Sequence, residues 1–303
     1  SSGFYKDENS ESFNNGWFHS GDIFNEENGY YFIIDRKKDI YKNSRGQTIA
    51  PQKIENLFQD FDLVKSVFLV GDGKEYNTVL IYPNKENVDF DLKNMNENQV
   101  QDIFSAMLIS INGFLSPFER IVNFAIIDRN FSSKNNELTQ KGTFKRKNII
   151  YNFNTVIESM YKKDYVGLYN ENKEIKFPNW LIREIGTIKS NIKWNGNEIS
   201  INDKNIFLTF RWLDENANIG GFNYGIEKQT FDLSQFINDP KLWLGNEEFV
   251  KFISTPIYRV KEAVPYERVS IIINNGNFSE TKIEKSETEA ELQLQTLHNS
   301  LSL

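Results

Sequence analysis

The 303-residue sequence contains no cysteine and only two histidines, His19 and His298. Without thiols the chain has neither disulfides nor thiolate metal ligands, and two histidines so far apart argue against a histidine-based zinc centre. We therefore predict no metal site built by the protein. No apolar run approaches the roughly 20 residues that are needed to span a bilayer. The net charge of −7 argues against a nucleic-acid-binding surface, which needs a basic field. These absences favour a cytoplasmic protein without a nucleic-acid partner.

The composition is that of a folded chain with more than one domain. With 39% apolar and 14% aromatic residues, the sequence can bury hydrophobic cores. Its length favours two domains over one. The sequence opens at Ser1 without a methionine, and an apolar helical pattern that begins at Ser286 is still running at Leu303. We therefore expect a fragment of a longer protein.

The first 163 residues carry a mixture of strand and helix patterns. Asn28-Gly29 between two apolar runs predicts a β-hairpin, and Pro51 predicts the start of a short helix. Apolar residues at steps of three and four predict a helix over 99–113. Further elements are expected as strands at 67–70, 78–82 and 122–127 and as a helix over 147–162. This order of elements predicts a compact α+β domain.

The remaining residues predict a second, strand-rich α+β domain. Asn195-Gly196 predicts a hairpin turn, and alternating residues over 206–212 predict a half-buried strand. A further strand is expected at 269–273. Four tryptophans could form a stacking platform for a carbohydrate or a base, but large aromatic residues at strand spacing favour the core: Trp180, Trp194, Trp212 and Trp243. This half of the sequence resembles no family and predicts no function.

The charged residues around the first hairpin have the chemistry of half a nucleotide site. Asp22 follows a Ser20-Gly21 turn, and a carboxylate held by a turn can accept hydrogen bonds from both vicinal hydroxyls of a ribose. Arg36 lies one strand later, and its forked donors can reach ribose oxygens or phosphate. For an isolated pair of this kind, the alternative is a solvated turn and strand end.

Several motifs in this part of the chain occur together and in a fixed order. They read GWFHSGD at 16–22, IDRKKD at 34–39 and IAPQKIE at 49–55. In this order and spacing they resemble the adenylate-forming superfamily, which includes acyl-CoA synthetases, luciferases and the adenylation domains of peptide synthetases. The nearest pattern is that of the long-chain acyl-CoA synthetases, and the resemblance covers residues 1–163.

The resemblance implies roles for four residues near the first hairpin. Asp22 would bind the ribose hydroxyls of ATP, Ile33 would pack near the nucleotide, and Arg36 would contact ribose or phosphate. Lys38 falls at the hinge about which a small carboxy-terminal domain, the lid, rotates between two half-reactions.

The resemblance also implies a reaction and its cofactors. ATP and a carboxylate, here a fatty acid, give an acyl-adenylate and pyrophosphate, and CoA then captures the acyl group. A loop from Lys42 to Gly46 would line the tunnel for CoA, where a glycine allows close approach of the backbone. The implied cofactors are ATP, Mg²⁺ and CoA. Membrane association is expected only through the fatty-acid substrate, and the oligomeric state is left open.

A late loop departs from the pattern of the superfamily. The superfamily places a lysine there, near the charge that develops as the carboxylate attacks the α-phosphate. Aligning the segment ELTQKGTFKRK at 137–147 with the long-chain pattern puts Thr143 at that position. Lys141 or Lys145 would substitute as the catalytic residue if the loop is kinked at its glycine. Otherwise, Lys145 and Arg146 are expected to begin a helix and to face solvent.

We expect the chain to comprise the end of a large amino-terminal adenylation domain, the lid, a strand-rich domain and the start of a helical element, at 1–36, 37–163, 164–285 and 286–303. The sequence has no phosphate loop and no acyl pocket, which the superfamily carries on the large domain, so the chain alone is expected to be inactive. The main hypothesis is part of an acyl-CoA synthetase. The alternatives are an acyl-AMP ligase without the CoA step and a ligase-fold binding or regulatory module that has lost adenylation.

Overall fold

A computed structural model describes residues 13–14, 17–87, 92, 94–213, 216–226, 229–257, 273–274 and 277–278. The strand expected at 269–273 lies almost entirely outside these residues, and the helix expected from Ser286 lies wholly outside them. The chain divides into two compact units, Ser1–Lys162 and Lys163–Leu303. Among the described residues, no helix is long and apolar enough to cross a membrane.

The first unit contains strands and helices in mixed order. In chain order these are β1 (Phe13–Asn14), β2 (Trp17–Phe18), β3 (Asp22–Glu27), β4 (Tyr30–Arg36), β5 (Tyr41–Lys42), β6 (Thr48–Ile49), α1 (Pro51–Asn56), β7 (Val64–Val70), β8 (Asn77–Pro83), α2 (Glu97–Asn112), β9 (Ile121–Ile126), α3 (Arg146–Asn152) and α4 (Asn154–Tyr161). β1 pairs with β2, β3 with β4 and β5 with β6. In the central sheet β8 lies between β7, which is antiparallel to it, and β9, which is parallel. This arrangement confirms the predicted α+β class.

Helix α2 connects the parallel strands β8 and β9, as a parallel pair requires. Its N-cap is Asn96, whose side chain accepts a hydrogen bond from Gln99 N at 2.9 Å, while Gln99 Oε1 accepts from Asn96 N at 3.0 Å. This reciprocal capping box fixes the start of the helix. Phe104, Leu108 and Ile111 form its buried face. The helix predicted from apolar spacing is therefore confirmed, with its start two residues earlier.

The helix expected over 147–162 is instead two helices, so that prediction was wrong. α3 and α4 are separated at Phe153, whose φ of −104° and ψ of 16° depart from helical values. Its ring is buried against Phe131, with the ring centroids 5.5 Å apart. Ile149 and Ile157, on either side of the break, are buried in the same core. Packing of the aromatic ring therefore accounts for the break.

The described residues of the second unit form a meander, a smaller mixed sheet, a two-stranded hairpin and short helices. Its elements are β10 (Tyr165–Asn170), β11 (Lys173–Pro178), α5 (Asn179–Ile185), β12 (Ile192–Trp194), β13 (Glu198–Ile201), β14 (Ile206–Leu213), β15 (Asn216–Ile219), β16 (Phe222–Gly225), β17 (Thr230–Asp232), α6 (Leu233–Ile237), α7 (Glu247–Ile257), β18 (Ile273–Asn274) and β19 (Asn277–Phe278). β12 to β16 form one five-stranded antiparallel sheet. In the mixed sheet, β11 lies between β10, which is antiparallel to it, and β17, which is parallel. β18 and β19 pair with each other.

Two of the tryptophans of this unit lie in its core, as predicted. Trp194 and Trp243 are buried, and their indole N–H groups donate to Phe210 O at 3.0 Å and to Ile237 O at 3.1 Å. A buried indole needs such a partner. These two rings are therefore structural residues.

Candidate functional site

The β3–β4 hairpin places two of the predicted ATP-binding residues opposite each other. Asn28 and Gly29 form its turn, both with positive φ, at 53° and 83°, as the favoured two-residue hairpin turn requires. The strand register pairs Asp22 with Arg36, and Arg36 Nε lies 3.8 Å from Asp22 Oδ1. The side chain of Arg36 is 44% exposed and that of Asp22 is 27% exposed. A carboxylate and a guanidinium therefore lie together, accessible to a ligand, at the end of the hairpin away from the turn.

The same hairpin exposes apolar side chains. Ile33, the third predicted neighbour of the nucleotide, is 63% exposed. Phe24, Tyr30, Tyr31 and Phe32 are exposed as well. Clustered exposed apolar residues on a folded chain indicate an interaction surface, for a ligand or for another part of a protein.

Asp35 lies within this exposed strand but is fully buried. Its Oδ1 accepts a hydrogen bond from Arg36 N at 2.7 Å, and its Oδ2 accepts one from Gln52 N at 2.8 Å. Burial raises the pKa of Asp35, an effect that these two hydrogen bonds oppose. The carboxylate ties the end of β4 to the first turn of α1. Sequence analysis did not assign Asp35 a role.

The predicted hinge residue, Lys38, lies in a turn directly after β4. Lys37 N donates to Gly21 O at 2.8 Å, and Asp39 N donates to Arg36 O at 2.9 Å. The side chain of Lys38 is exposed. Backbone hydrogen bonds therefore hold the residues on both sides of this position.

Residues 42–47, from the last residue of β5 to the residue before β6, form a closed loop. Lys42 and Gly46, the two predicted CoA-binding residues, are exposed. Gly46 has a φ of 78°, a conformation that favours glycine. Asn43 lies between them and is buried. Sequence reasoning missed Asn43 because its hydrogen-bond partners belong to the same loop and leave no pattern in the sequence.

The late loop is a tight hairpin that bends at Gly142, where φ is 79°. Thr139 N donates to Thr143 O at 2.9 Å, and the two threonine hydroxyls lie 2.8 Å apart. Lys141 is exposed beside the bend. The kink that the lysine hypothesis needs is therefore present, and Thr143 is held within the hairpin.

The expectation that Arg146 faces solvent was wrong. Its side chain is 14% exposed, and its guanidinium donates to both carboxylate oxygens of Glu55, at 2.8 and 3.1 Å. It also donates to Leu69 O at 2.7 Å. Lys145, one residue earlier, contacts Asn136 Oδ1. Arg146 therefore anchors the start of α3 to α1 and β7.

A cavity of about 420 Å³ lies between the end of β4, α1, β7 and the late hairpin. Among its lining residues are Asp35, Glu55, Arg36, Arg146 and Thr143. Burial raises the pKa of Glu55, and Arg146 opposes this by its charge and hydrogen bonds. Other predicted site residues, all within the described part of the chain, do not line the cavity: Asp22, Ile33, Lys38, Lys42, Gly46, Lys141 and Lys145. Arg36 and Thr143 are thus brought to one cavity, and the two candidate lysines are not.

Comparison with known proteins gives a family match over part of the chain. Residues 38–165 match the family described as AMP-binding enzyme C-terminal domain. Fatty acyl-CoA synthetase B of Dictyostelium discoideum is 34% identical over 181 residues, covering 54% of this chain and 27% of that protein. Long-chain-fatty-acid–CoA ligase 1 of Homo sapiens is 30% identical over 160 residues, covering 48% of this chain and 23% of that protein. The chain thus spans about a quarter of the length of these relatives.

A solved structure also shows similarity. The adenylation domain of carboxylic acid reductase from Segniliparus rugosus, in complex with AMP and a co-purified carboxylic acid, aligns with a TM-score of 0.45 and 23% identity. The alignment covers 53% of this chain and 26% of that one.

Proposed function

We propose that the chain is the carboxy-terminal part of an ATP-dependent fatty acid–CoA ligase, because residues 38–165 match the AMP-binding enzyme C-terminal domain family. The observation that carries the proposal is the position of the match. It begins at Lys38, directly after the hairpin that pairs Asp22 with Arg36. The ribose-binding pair, the hinge and the lid then follow one another along the chain.

In the first half-reaction, the carboxylate of the fatty acid attacks the α-phosphate of ATP and releases pyrophosphate. Asp22 accepts hydrogen bonds from both ribose hydroxyls, which fixes the nucleotide. Arg36 donates to ribose or phosphate oxygens, so its contact with Asp22 at 3.8 Å gives way to the ligand. Ile33 packs beside the nucleotide. A cation near the α-phosphate then stabilises the developing charge, and Lys141 at the bend of the late hairpin is our candidate, with Lys145 as the alternative.

In the second half-reaction, the thiol of CoA attacks the acyl carbonyl of the adenylate and AMP leaves. The lid rotates about Lys38 between the two steps, so that residues 42–46 replace the late hairpin at the reacting atoms. Lys42 lies at the start of this loop as an exposed cation, and Gly46 presents bare backbone to the pantetheine arm.

Mg²⁺ accompanies the phosphates of ATP in this proposal. The described residues contain no group of three His, Asp or Glu side chains that could hold a metal ion. Mg²⁺ in nucleotide sites is commonly held by one or two carboxylates and by the substrate phosphates. We therefore assign no protein ligand to the ion.

One observation favours a second candidate, a ligase-fold binding or regulatory module. Aligning the late hairpin with the long-chain pattern puts Thr143 at the position of the family lysine, and its hydroxyl lies 2.8 Å from that of Thr139. If neither Lys141 nor Lys145 replaces the missing cation, the chain keeps the fold and the ribose pair but has lost the adenylation step. An acyl-AMP ligase without the CoA step is the remaining alternative. For all three, we expect a cytoplasmic protein that meets membranes only through a fatty acid.

The test uses the complete protein and the substitution Asp22→Ala. Each hydrogen bond to a charged partner contributes about 1.5–3 kcal/mol, so the variant should bind ATP at least tenfold more weakly, as about 1.4 kcal/mol corresponds to a factor of ten. Isothermal titration gives the dissociation constant, and pyrophosphate exchange that depends on a fatty acid reports adenylation.

Glu26→Ala is the matched control, because Glu26 is an exposed carboxylate on the same strand, toward its other end. It should leave ATP binding unchanged. An unaltered dissociation constant in Asp22→Ala would refute the ribose role. Binding without any exchange in the wild-type protein would favour the regulatory module.

A further inference from the structure

The loop at residues 42–47 is organised by one buried side chain. Asn43 is 4% exposed, while the residues around it in the loop are exposed. Its Oδ1 accepts hydrogen bonds from Arg45 N at 3.0 Å and from Gln47 N at 2.9 Å. Its Nδ2 donates to Gln47 Oε1 at 2.9 Å. Both the acceptor and the donor of the amide are therefore used within the loop.

Backbone hydrogen bonds around Asn43 close the loop. Asn43 N donates to Gln47 O at 3.0 Å, and Gly46 N donates to Asn43 O, also at 3.0 Å. The positive φ of Gly46 completes the reversal of the chain. Short polar side chains that bond to backbone groups a few residues away are a common way to fix a turn.

The closed loop is fastened to the turn between β7 and β8. Gly73 N donates to Lys42 O at 2.9 Å, and Ser44 N donates to Lys74 O at 2.9 Å. Arg45 forms an ion pair with Glu75 at 3.2 Å. The loop is thus held both from within and from the central sheet.

We propose that Asn43 is a positioning residue that pre-forms this loop for the CoA step. This inference rests on the proposed function, because it assigns the loop to CoA. A loop that is ordered before its ligand arrives avoids the entropy cost of ordering at binding. Asn43 is buried and faces its own loop, so it acts through the exposed backbone and side chains that it holds and not by touching CoA.

The experiment compares two half-reactions of the complete protein. Fatty-acid-dependent pyrophosphate exchange reports adenylation, and acyl transfer from preformed acyl-adenylate to CoA reports the second step. Asn43→Ala should raise KM for CoA by about fivefold to thirtyfold, the cost of ordering one residue of backbone. The rate of pyrophosphate exchange should stay within about twofold of the wild-type rate, because the loop takes no part in the adenylation step.

Asn43→Asp is the conservative variant, since a carboxylate keeps the acceptor for both loop amides. It should recover most of the wild-type KM for CoA. Amide hydrogen exchange in the 303-residue chain gives a second readout that does not depend on activity. In Asn43→Ala the amides of Arg45 and Gln47 should exchange faster, while those of the central sheet should not change.

Asn112→Ala is the control for a general loss of stability. Asn112 is also a buried asparagine with hydrogen bonds from both ends of its amide, to Ile121 O and from Ile121 N, each at 2.8 Å. Its loss should affect both half-reactions equally. The inference is overturned if Asn43→Ala behaves like Asn112→Ala, if KM for CoA does not change, or if the loop amides keep their protection. Absence of fatty-acid-dependent pyrophosphate exchange in the wild-type protein is a different result. It would refute the proposed function, and the CoA role of the loop would fall with it.

Discussion

The ion pair between Arg146 and Glu55 offers the sharpest test of how the lid is held together. We predict that Arg146→Met destabilises the first unit strongly at neutral pH. Methionine keeps much of the apolar stem of arginine, so the change removes the charge and the hydrogen bonds more than it removes packing. Glu55 would lose both donors of the guanidinium and keep the hydrogen bond that it accepts from the amide of Leu69, at 2.8 Å.

The geometry sets the expected size of this effect. The side chains of Arg146 and Glu55 are only 14% and 8% exposed, so solvent does little to replace the lost contact. Removing one partner of a buried ion pair costs about 3–5 kcal/mol, because the other charge stays behind unpaired. In the double variant Arg146→Met/Glu55→Gln neither charge of this pair remains, so it should recover a large part of that loss.

The pH dependence has a definite sign. Burial raises the pKa of Glu55 above its ordinary value of 4.5, and Arg146 opposes that rise. Removing Arg146 therefore raises the pKa further. A carboxyl group whose pKa is higher in the folded state binds its proton more tightly there, so the free energy of unfolding falls as pH rises through that range. The difference between variant and wild type should be largest at neutral pH and should shrink toward pH 4.5.

Hydrogen exchange at the amide of Leu69 is the assay, measured on the 303-residue chain between pH 5 and 8. Tryptophan emission gives a separate reading of the second unit, which holds four of the five tryptophans of the sequence. The control is Lys65→Met, because Lys65 and Glu86 form an exposed pair at 3.4 Å. An exposed pair contributes about 0–1 kcal/mol. A loss for Arg146→Met in that range, or one that does not change with pH, would contradict the reasoning.

Two further predictions concern the late hairpin and the central sheet. Lys141→Ala should slow adenylate formation by on the order of a hundredfold and should leave acyl transfer from preformed acyl-adenylate to CoA unchanged. Lys145→Ala is the comparison. Equal, small effects of both substitutions on adenylation would mean that neither lysine is catalytic. Gly71→Ala should destabilise the first unit by about 1–3 kcal/mol, because an added Cβ would lie 2.1 Å from Asn77 Oδ1; a midpoint of thermal unfolding equal to that of the wild type would show that the site relaxes.

Local signals in the sequence predicted much of the first unit. The Asn28-Gly29 turn and the proline at the start of α1 act over a few residues, and the apolar period of α2 repeats along one helix. The break at Phe153 was not predictable in this way, because a ring packed against Phe131 decides it. In the second unit α5 was missed, since its seven residues are too few to show a clear helical period.

The same distinction holds for the candidate site, where features set by neighbouring residues were predictable and features set by distant residues were not. The facing of Asp22 and Arg36 follows from the hairpin turn and the motifs around it. The burial of Arg146 was missed because its partner, Glu55, lies 91 residues away in the sequence. Within the described part of the chain, the hydrogen bonds of Asn43 are made to its own loop. An asparagine in a polar loop looks the same in a sequence whether it is buried or exposed.

The contact of Asp35 with Gln52 has a consequence for the expected rotation at Lys38. Asp35 precedes that pivot and Gln52 follows it, so their hydrogen bond at 2.8 Å joins the two bodies that would turn against each other. A rotation that separates Asp35 from Gln52 would expose the buried carboxylate of Asp35, which water would then hydrate. The two orientations of the lid would then hold different numbers of water molecules, and osmotic conditions, together with the substrates, would help to set the balance between them.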